Sequence, residues 1–452
     1  MNRLRTLLIA ALTLGFAAIA PAAPPNIVFL LSDDQAWMDY GFMGHPVIQT
    51  PNLDRLATRS AVFTRGYVPT ALCRPSLATL VTGLYAHQHK ISGNDPSPKL
   101  AKPDSPEYDA LRERVIAHTD GLPTLPRLLT QAGYLTFQCG KWWEGSYQRG
   151  GFTHGMTRGF PERGGRHGDD GLKIGREGMQ PVDDFIDTAV REEKPFYIWY
   201  APFMPHSPHT PPERLLKKYR DKVDSEFVAK YYAMVEWFDE TCGHLMDKIE
   251  AKGLTENTLF VYVCDNGWIQ SPDKPKYADR SKQSPNEGGV RQPILFSWPG
   301  VIQPGRRDGL ISSIDIVPTE LAAAGVQIPT GLPGLDLMPA LRAGTPVSHD
   351  VIFGEGFAHD IADVDNPEAS LLYRWAIQGP WKLLLTYDGE VNRYASSHPR
   401  TEKRPQLFNL IEDPSEDHNV AKDHPDIVAD LAEKIANWYP VRERKVLTEW
   451  KD

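Results

Sequence analysis

Runs of consecutive apolar residues, each closed by a short polar cluster, set the rhythm of this chain. The first, Asn26-Ile27-Val28-Phe29-Leu30-Leu31-Ser32, carries no charge along its length, as a strand covered on both faces requires. Residues 134–139, 196–200, 259–264 and 294–298 repeat the pattern. Between them the apolar positions take helical spacing. Thr50 to Ala57 reads as a capped helix start with Leu53, Leu56 and Ala57 on one face. Residues 225–252 keep Val228, Tyr232, Val235, Phe238, Cys242 and Leu245 at three- and four-residue steps, and Gly253 ends the pattern. Strands alternating with helices predict an α/β fold: a large, mainly parallel sheet sandwiched by helices.

The texture changes after residue 345. Residues 373–377 and 381–385 read as short strands joined by Gln378-Gly379-Pro380, and 407–410 as another. A turn at Glu412-Asp413-Pro414 and a last helix from about Pro425 complete a smaller unit. The opening differs again: Arg3 and Arg5, an apolar run over 7–20, then Ala20-Pro21-Ala22 read as a secretory signal. That run is short for a membrane span, and Ala23-Pro24-Pro25 follows it. The expected organisation is a signal peptide at 1–22, a catalytic α/β domain at 23–345, and a C-terminal α+β subdomain at 346–452 with a small antiparallel sheet. The mature protein is expected to be secreted or periplasmic, without a membrane anchor.

Composition narrows the partners. The formal net charge of -9 argues against nucleic acid, and any anionic substrate must be met by a local cationic pocket. Four cysteines, Cys73, Cys139, Cys242 and Cys264, do not make a disulfide framework. In open α/β sheets ligands bind beyond the carboxyl ends of strands, and Asp33-Asp34, Lys141, His206 and Asp265-Asn266 all follow such ends. Carboxylates converging there repel one another unless a cation neutralises them. Asp33, Asp34, Asp265 and the amide oxygen of Asn266 form an all-oxygen set that suits calcium or magnesium over zinc. Cys73 stands just before a helical pattern (Leu77, Leu80, Val81) with Pro75 in its first turn, where free N–H groups favour negative charge. Taken singly, the cysteine reads as a small buried hydrophobe, the aspartates as caps and Lys282 as a surface lysine.

Together these segments resemble the formylglycine-dependent (type I) sulfatases of the alkaline phosphatase superfamily. Cys73-Arg74-Pro75-Ser76, with Leu80 and Thr82-Gly83, is similar to that family's Cys-x-Pro-Ser-Arg maturation motif and its Leu-Thr-Gly-like end. Lys282 followed by Asn286-Glu287-Gly288-Gly289-Val290-Arg291-Gln292-Pro293 resembles a second motif, Pro205-His206 a third, and Leu407 to Asn419 the C-terminal pattern. The resemblance covers about residues 25–420. It implies an alkaline-phosphatase-like fold, and a calcium ion held by Asp33, Asp34, Asp265, Asn266 and position 73. It also implies 3-oxoalanine (formylglycine) formed from Cys73 by a maturation enzyme, and sulfate binding by Lys141, Lys282 and His206.

Two positions depart from the pattern. Leu77 stands where the family has the arginine of its maturation motif, and Trp143 where Gly-Lys-Trp-His-x-Gly has its histidine. Arg74 is a candidate replacement cation for substrate binding. The expected activity is hydrolysis of sulfate esters on a sulfated saccharide, with His206 as general acid, since an unperturbed imidazole near 6.5 suits proton transfer at neutrality. The alternatives are a phosphate or phosphonate ester hydrolase of the same superfamily and a catalytically silent module that binds sulfated glycans. Two loops are candidates for contacting the sugar: His87-Gln88-His89-Lys90 with Asn94-Asp95, and the Gly/Arg-rich stretch 150–178.

Overall fold

The structure, a computed structural model, describes residues 23–394, 398 and 404–448. The expected signal peptide at 1–22 lies outside the described residues. A nine-stranded sheet forms the centre. From one edge the order is Ile311–Ser312, Ala61–Tyr67, Arg291–Ser297, Thr258–Cys264, Asn26–Ser32, Phe196–Ala201, Leu135–Gly140 and His154–Gly155. Gly305–Arg307 pairs separately with Ala61–Tyr67. The four central strands are parallel neighbours, with Ser32 opposite Cys264, Ile27 opposite Tyr197, and Leu135 opposite Phe196. Their carboxyl ends therefore leave the sheet side by side.

The expected mainly parallel sheet is present, with one reversal. Arg291–Ser297 runs antiparallel to both neighbours. A continuous apolar run records burial on both faces but carries no mark of direction. Alternate residues of the first strand enter different cores: Ile27, Phe29 and Leu31 face one apolar cluster, Val28 and Leu30 the other. The first cluster includes residues of the helices Cys73–Thr82, Leu125–Gln131 and Ile316–Ala323. The second takes in Gln180–Arg191 and Glu226–Ala251.

The long helix Glu226–Ala251 has the expected bounds, with the Ser225 hydroxyl accepting from the Val228 N–H at 3.3 Å. The expected cap at Thr50 differs. Its hydroxyl donates to Asp54 Oδ1 at 2.9 Å, and Asp239 of the long helix accepts the N–H groups of Asn52 and Leu53 instead. A capping oxygen can thus come from a distant element, which local sequence does not reveal.

A second, four-stranded antiparallel sheet follows in the order Ile352–Phe357, Leu371–Gln378, Trp381–Thr386 and Gln406–Asn409. Leu431 and Ile435 of the helix Pro425–Trp438 pack on it. The fully buried ammonium of Lys382 lies 3.0 Å from Glu287 Oε1 and 2.9 Å from Glu416 Oε1. Glu416 Oε2 also accepts from Asn286 Nδ2 and the Glu287 N–H, at 2.9 and 2.8 Å. The small sheet therefore grips the segment that follows Lys282. Among the described residues no helix is long and apolar enough to cross a membrane.

Replacing Lys382 with Met removes the cation shared by two buried carboxylates and leaves Glu287 with Arg291 at 3.5 Å as its remaining cation. We expect Lys382→Met to lower the unfolding free energy by about 3–5 kcal/mol, read as a fall in the guanidinium midpoint. An unchanged midpoint would show that this grip contributes no stability.

Candidate active site

Three of the four central strand exits supply the site, with Phe196–Ala201 lying between the first two. Beyond Leu135–Gly140 comes Lys141, beyond Asn26–Ser32 come Asp33 and Asp34, and beyond Thr258–Cys264 come Asp265 and Asn266. Backbone pairing continues past the strands and fixes these residues. Lys141 N–H donates to Ala201 O at 2.7 Å, Asp33 N–H to Met204 O at 3.0 Å, and Asp265 N–H to Ser32 O at 3.1 Å. Gly140 makes the turn at φ +90°, and a Cβ there would meet Ala201 O at 1.9 Å. Asp34 itself holds φ 67°, an uncommon conformation for a residue with a side chain.

The carboxylates are buried behind two lysines. Lys141 Nζ is 2.7 Å from Asp33 Oδ1 and 3.9 Å from Asp265 Oδ2. Lys282 Nζ donates to Asp34 Oδ1 and Oδ2 at 2.6 and 2.7 Å and to Cys73 Sγ at 3.0 Å. Asn266 Nδ2 donates to Asp34 Oδ1 at 2.7 Å, and Asp265 Oδ1 accepts from the N–H groups of Asp34 and Asn266. Three buried acceptors are left without a hydrogen-bond donor among the described residues: Asp33 Oδ2, Asp265 Oδ2 and Asn266 Oδ1. Orphaned buried oxygens of this kind are costly, and an all-oxygen set fits a hard divalent cation such as calcium.

Titration follows the crowding. Burial raises Asp33 to about 7, with Lys141 opposing and Asp265 reinforcing the rise. Burial also raises Asp265. It would raise Asp34 too, but Lys282, His206 and Lys141 together hold that carboxyl at about 2. Cys73 is the first residue of its helix, and Ser76 Oγ ties that helix to Asp265 O at 2.6 Å. Burial pushes its thiol up to about 12 against the pull of Lys141 and Lys282, so at neutral pH it is a thiol, a weak nucleophile. All four cysteines are free and buried.

Cys73, Lys141, His206 and Lys282 line one cavity of 550 Å³. His206 Nδ1 donates to Ser207 O at 2.5 Å, its ring stacks on Phe203 with centroids 4.2 Å apart, and its Nε2 lies 3.4 Å from Asp34 Oδ2. The expected unperturbed imidazole is not found. Burial lowers it to about 4, although Asp33 and Asp34 pull the other way.

Arg74 is not among the residues lining this cavity. Its guanidinium makes a bidentate pair with Glu144, both N–O distances 2.8 Å, and both side chains are buried. Leu77 packs in the apolar core. Trp143 does line the cavity, with Lys141 Nζ 5.2 Å from its ring centroid and His167 against it at 5.2 Å. The suggested sugar-contacting loops divide. His87 pairs with Glu355 and stacks on Tyr439, and His89 is buried against Thr79. Asn94, Asp95, Arg166 and His167 line the cavity. Arg112, on the helix Pro106–Ala117, also lines it, and no motif marks it in the sequence.

The profile of the Sulfatase family matches residues 25–326. Bovine (Bos taurus) arylsulfatase A is 29% identical over 474 residues, covering 90% of this chain and 86% of that protein. N-acetylgalactosamine-6-sulfatase of the dog (Canis lupus familiaris) is 27% identical, covering 89% and 82%. Among solved structures, the crystal structure of Ps i-CgsB shares the fold with a TM-score of 0.72 at 24% identity, covering 92% of each chain.

The Arg74–Glu144 pair makes a test of Arg74's part. Arg74→Met alone should cost about 3–5 kcal/mol, because it leaves a buried carboxylate unpaired. Adding Glu144→Leu should recover most of that loss and keep turnover. A double variant that is stable yet inactive would return Arg74 to the substrate site.

Proposed function

The chain belongs to the sulfatase family and is a sulfuric ester hydrolase, and from that premise we propose that it is a secreted enzyme acting on sulfated carbohydrate. The kinship with N-acetylgalactosamine-6-sulfatase and the open, polar cavity in front of Cys73 support a saccharide substrate. One observation carries the site assignment. Three buried carboxylates stand behind two lysines, with three acceptor oxygens unpartnered among the described residues, directly beside Cys73.

The charges support a cation there. Asp33, Asp34 and Asp265 ionised against Lys141 and Lys282 leave the cluster at about −1, which would repel a sulfate ester. A divalent cation on Asp33, Asp34, Asp265, Asn266 and position 73 would turn that balance positive and act as a Lewis acid at the reacting centre. Formylglycine at position 73, made by a maturation enzyme, would supply an oxygen nucleophile in place of a thiol that burial holds protonated.

The remaining roles belong to residues present on the cavity wall. Lys141 and Lys282 would neutralise the non-bridging sulfate oxygens, the largest expected contribution to the rate. His206 would pass the proton on its Nε2 to the departing alcohol oxygen as the sulfur–oxygen bond breaks. Its imidazole is neutral when the cavity holds no anion, and a bound sulfate ester favours the protonated form the step needs. The phosphate or phosphonate reading stays distinguishable by turnover.

An activated aryl sulfate should be hydrolysed far faster than the matching aryl phosphate, and mass spectrometry of the peptide containing Cys73 should find formylglycine. Full sulfatase activity with an intact thiol would end the formylglycine assignment, and faster phosphate turnover would end the sulfatase one. His206→Ala should lower kcat on a sugar sulfate by about 10²–10⁴-fold and much less on the activated aryl sulfate, whose leaving group needs little protonation. Equal losses on both would leave His206 as a sulfate ligand only.

A further inference from the structure

One wall of the cavity has no part in the chemistry above. It is built from Asp95, Arg112 and Arg166. Arg166 Nε donates to Asp95 Oδ2 at 2.8 Å and its NH2 group reaches the same oxygen, while Arg112 NH2 donates to Oδ1 at 3.1 Å. One carboxylate thus sits between two guanidiniums, and the trio carries a net positive charge. A single arginine would suffice to neutralise Asp95, so the second is surplus to the fold.

The two cations are not ordinary surface arginines. Their side chains are 21% and 35% exposed, against 7% for Asp95, so the carboxylate is covered and the guanidiniums remain open to the cavity. Aromatic rings hold them in place. Arg112 lies over Tyr108 at 5.2 Å and Phe160 at 5.8 Å, and Arg166 over Trp143 at 5.6 Å. Arg112 Nε is buried with no acceptor among the described residues. A guanidinium fixed on aromatic faces is weakly hydrated and pre-oriented for an oxyanion. Trp143 also contacts Lys141, so one indole separates this wall from the lysine assigned to the sulfate. Elsewhere on the wall Lys276 and Arg393 add positive charge and Asp104 negative charge, and Arg393 is paired with Asp360 at 3.2 Å.

We propose that Arg112 and Arg166, braced by Asp95 and Trp143, form a second anion subsite. The substrate then carries another acidic group, a carboxylate or a second sulfate, on the same sugar as the cleaved sulfate or on its neighbour. The inference rests on the carbohydrate sulfatase reading and narrows its substrate class. Trp143, which departs from the family motif, is the floor shared by the two sites.

The test compares three disaccharides on the matured enzyme: one sulfate on neutral sugars, the same with a uronate, and the same with a second sulfate. The wild type should prefer at least one acidic substrate by tenfold or more in kcat/KM, and the arm that gains identifies the group. Arg166→Gln and Arg112→Gln should each bring the ratio of acidic to neutral substrate near one, and Arg166→Lys should restore part of it. No preference in the wild type, or an unchanged ratio in both variants, would overturn the subsite. Calorimetric titration with a sulfate-free uronate disaccharide separates this inference from the sulfatase reading. Binding that Arg166→Gln weakens fivefold or more supports the subsite even if no sulfate ester turns over. Failure of both that titration and the disulfated arm would overturn it.

Discussion

Everything at this site depends on how three carboxylates are kept together away from water. Asp33, Asp34 and Asp265 are each nearly inaccessible to solvent, and like charges so placed cannot all ionise unaided. Lys141 and Lys282 supply part of the compensation, and the rise of Asp33 toward neutrality marks the remainder. The lysines stand between the carboxylates and the cavity, so the groups that stabilise the cluster are those placed to meet an incoming anion.

The fold is arranged to hold that cluster. Three of the four central parallel strands deliver Lys141, the Asp33-Asp34 pair and Asp265-Asn266 to one edge of the sheet, and pairing beyond the strand ends leaves little freedom. Gly267 lets the chain pass Gly288, whose carbonyl oxygen would lie 1.9 Å from a Cβ at Gly267. The C-terminal sheet grips the same segment through Lys382, Glu287 and Glu416. Two charged stretches of the sequence, the Glu-Gly-Gly segment and the C-terminal Asp-Pro-x-Glu turn, thereby acquire a structural role, since together they seat Lys282.

Much of this was legible in the order of residues. Unbroken apolar runs marked the central strands, and the polar residues after them marked the site, because strand ends are where an open sheet meets its ligand. Other features were hidden for physical reasons. The strand Ala61–Tyr67 contains Thr64-Arg65-Gly66, and Ile352–Phe357 contains Gly354 and Gly356, so neither shows an apolar run. The direction of Arg291–Ser297 leaves no trace in its composition. Arg74 points to Glu144 across 70 positions and Arg166 to Asp95 across 71, and long-range pairing of charges has no local signature. The lowered titration of the His206 imidazole has no trace in the sequence, because it depends on burial, which spacing does not measure.

The proposed mechanism turns on a divalent cation that would complete the charge of the carboxylate cluster. Calorimetric titration of calcium into the metal-stripped protein, in parallel with Asp265→Ala, measures it directly. The wild type should take up one calcium per chain, with release of protons near neutral pH as Asp33 gives up its share, and Asp265→Ala should show no such binding. A wild type that takes up no calcium or magnesium yet hydrolyses sulfate esters at full rate would contradict the mechanism.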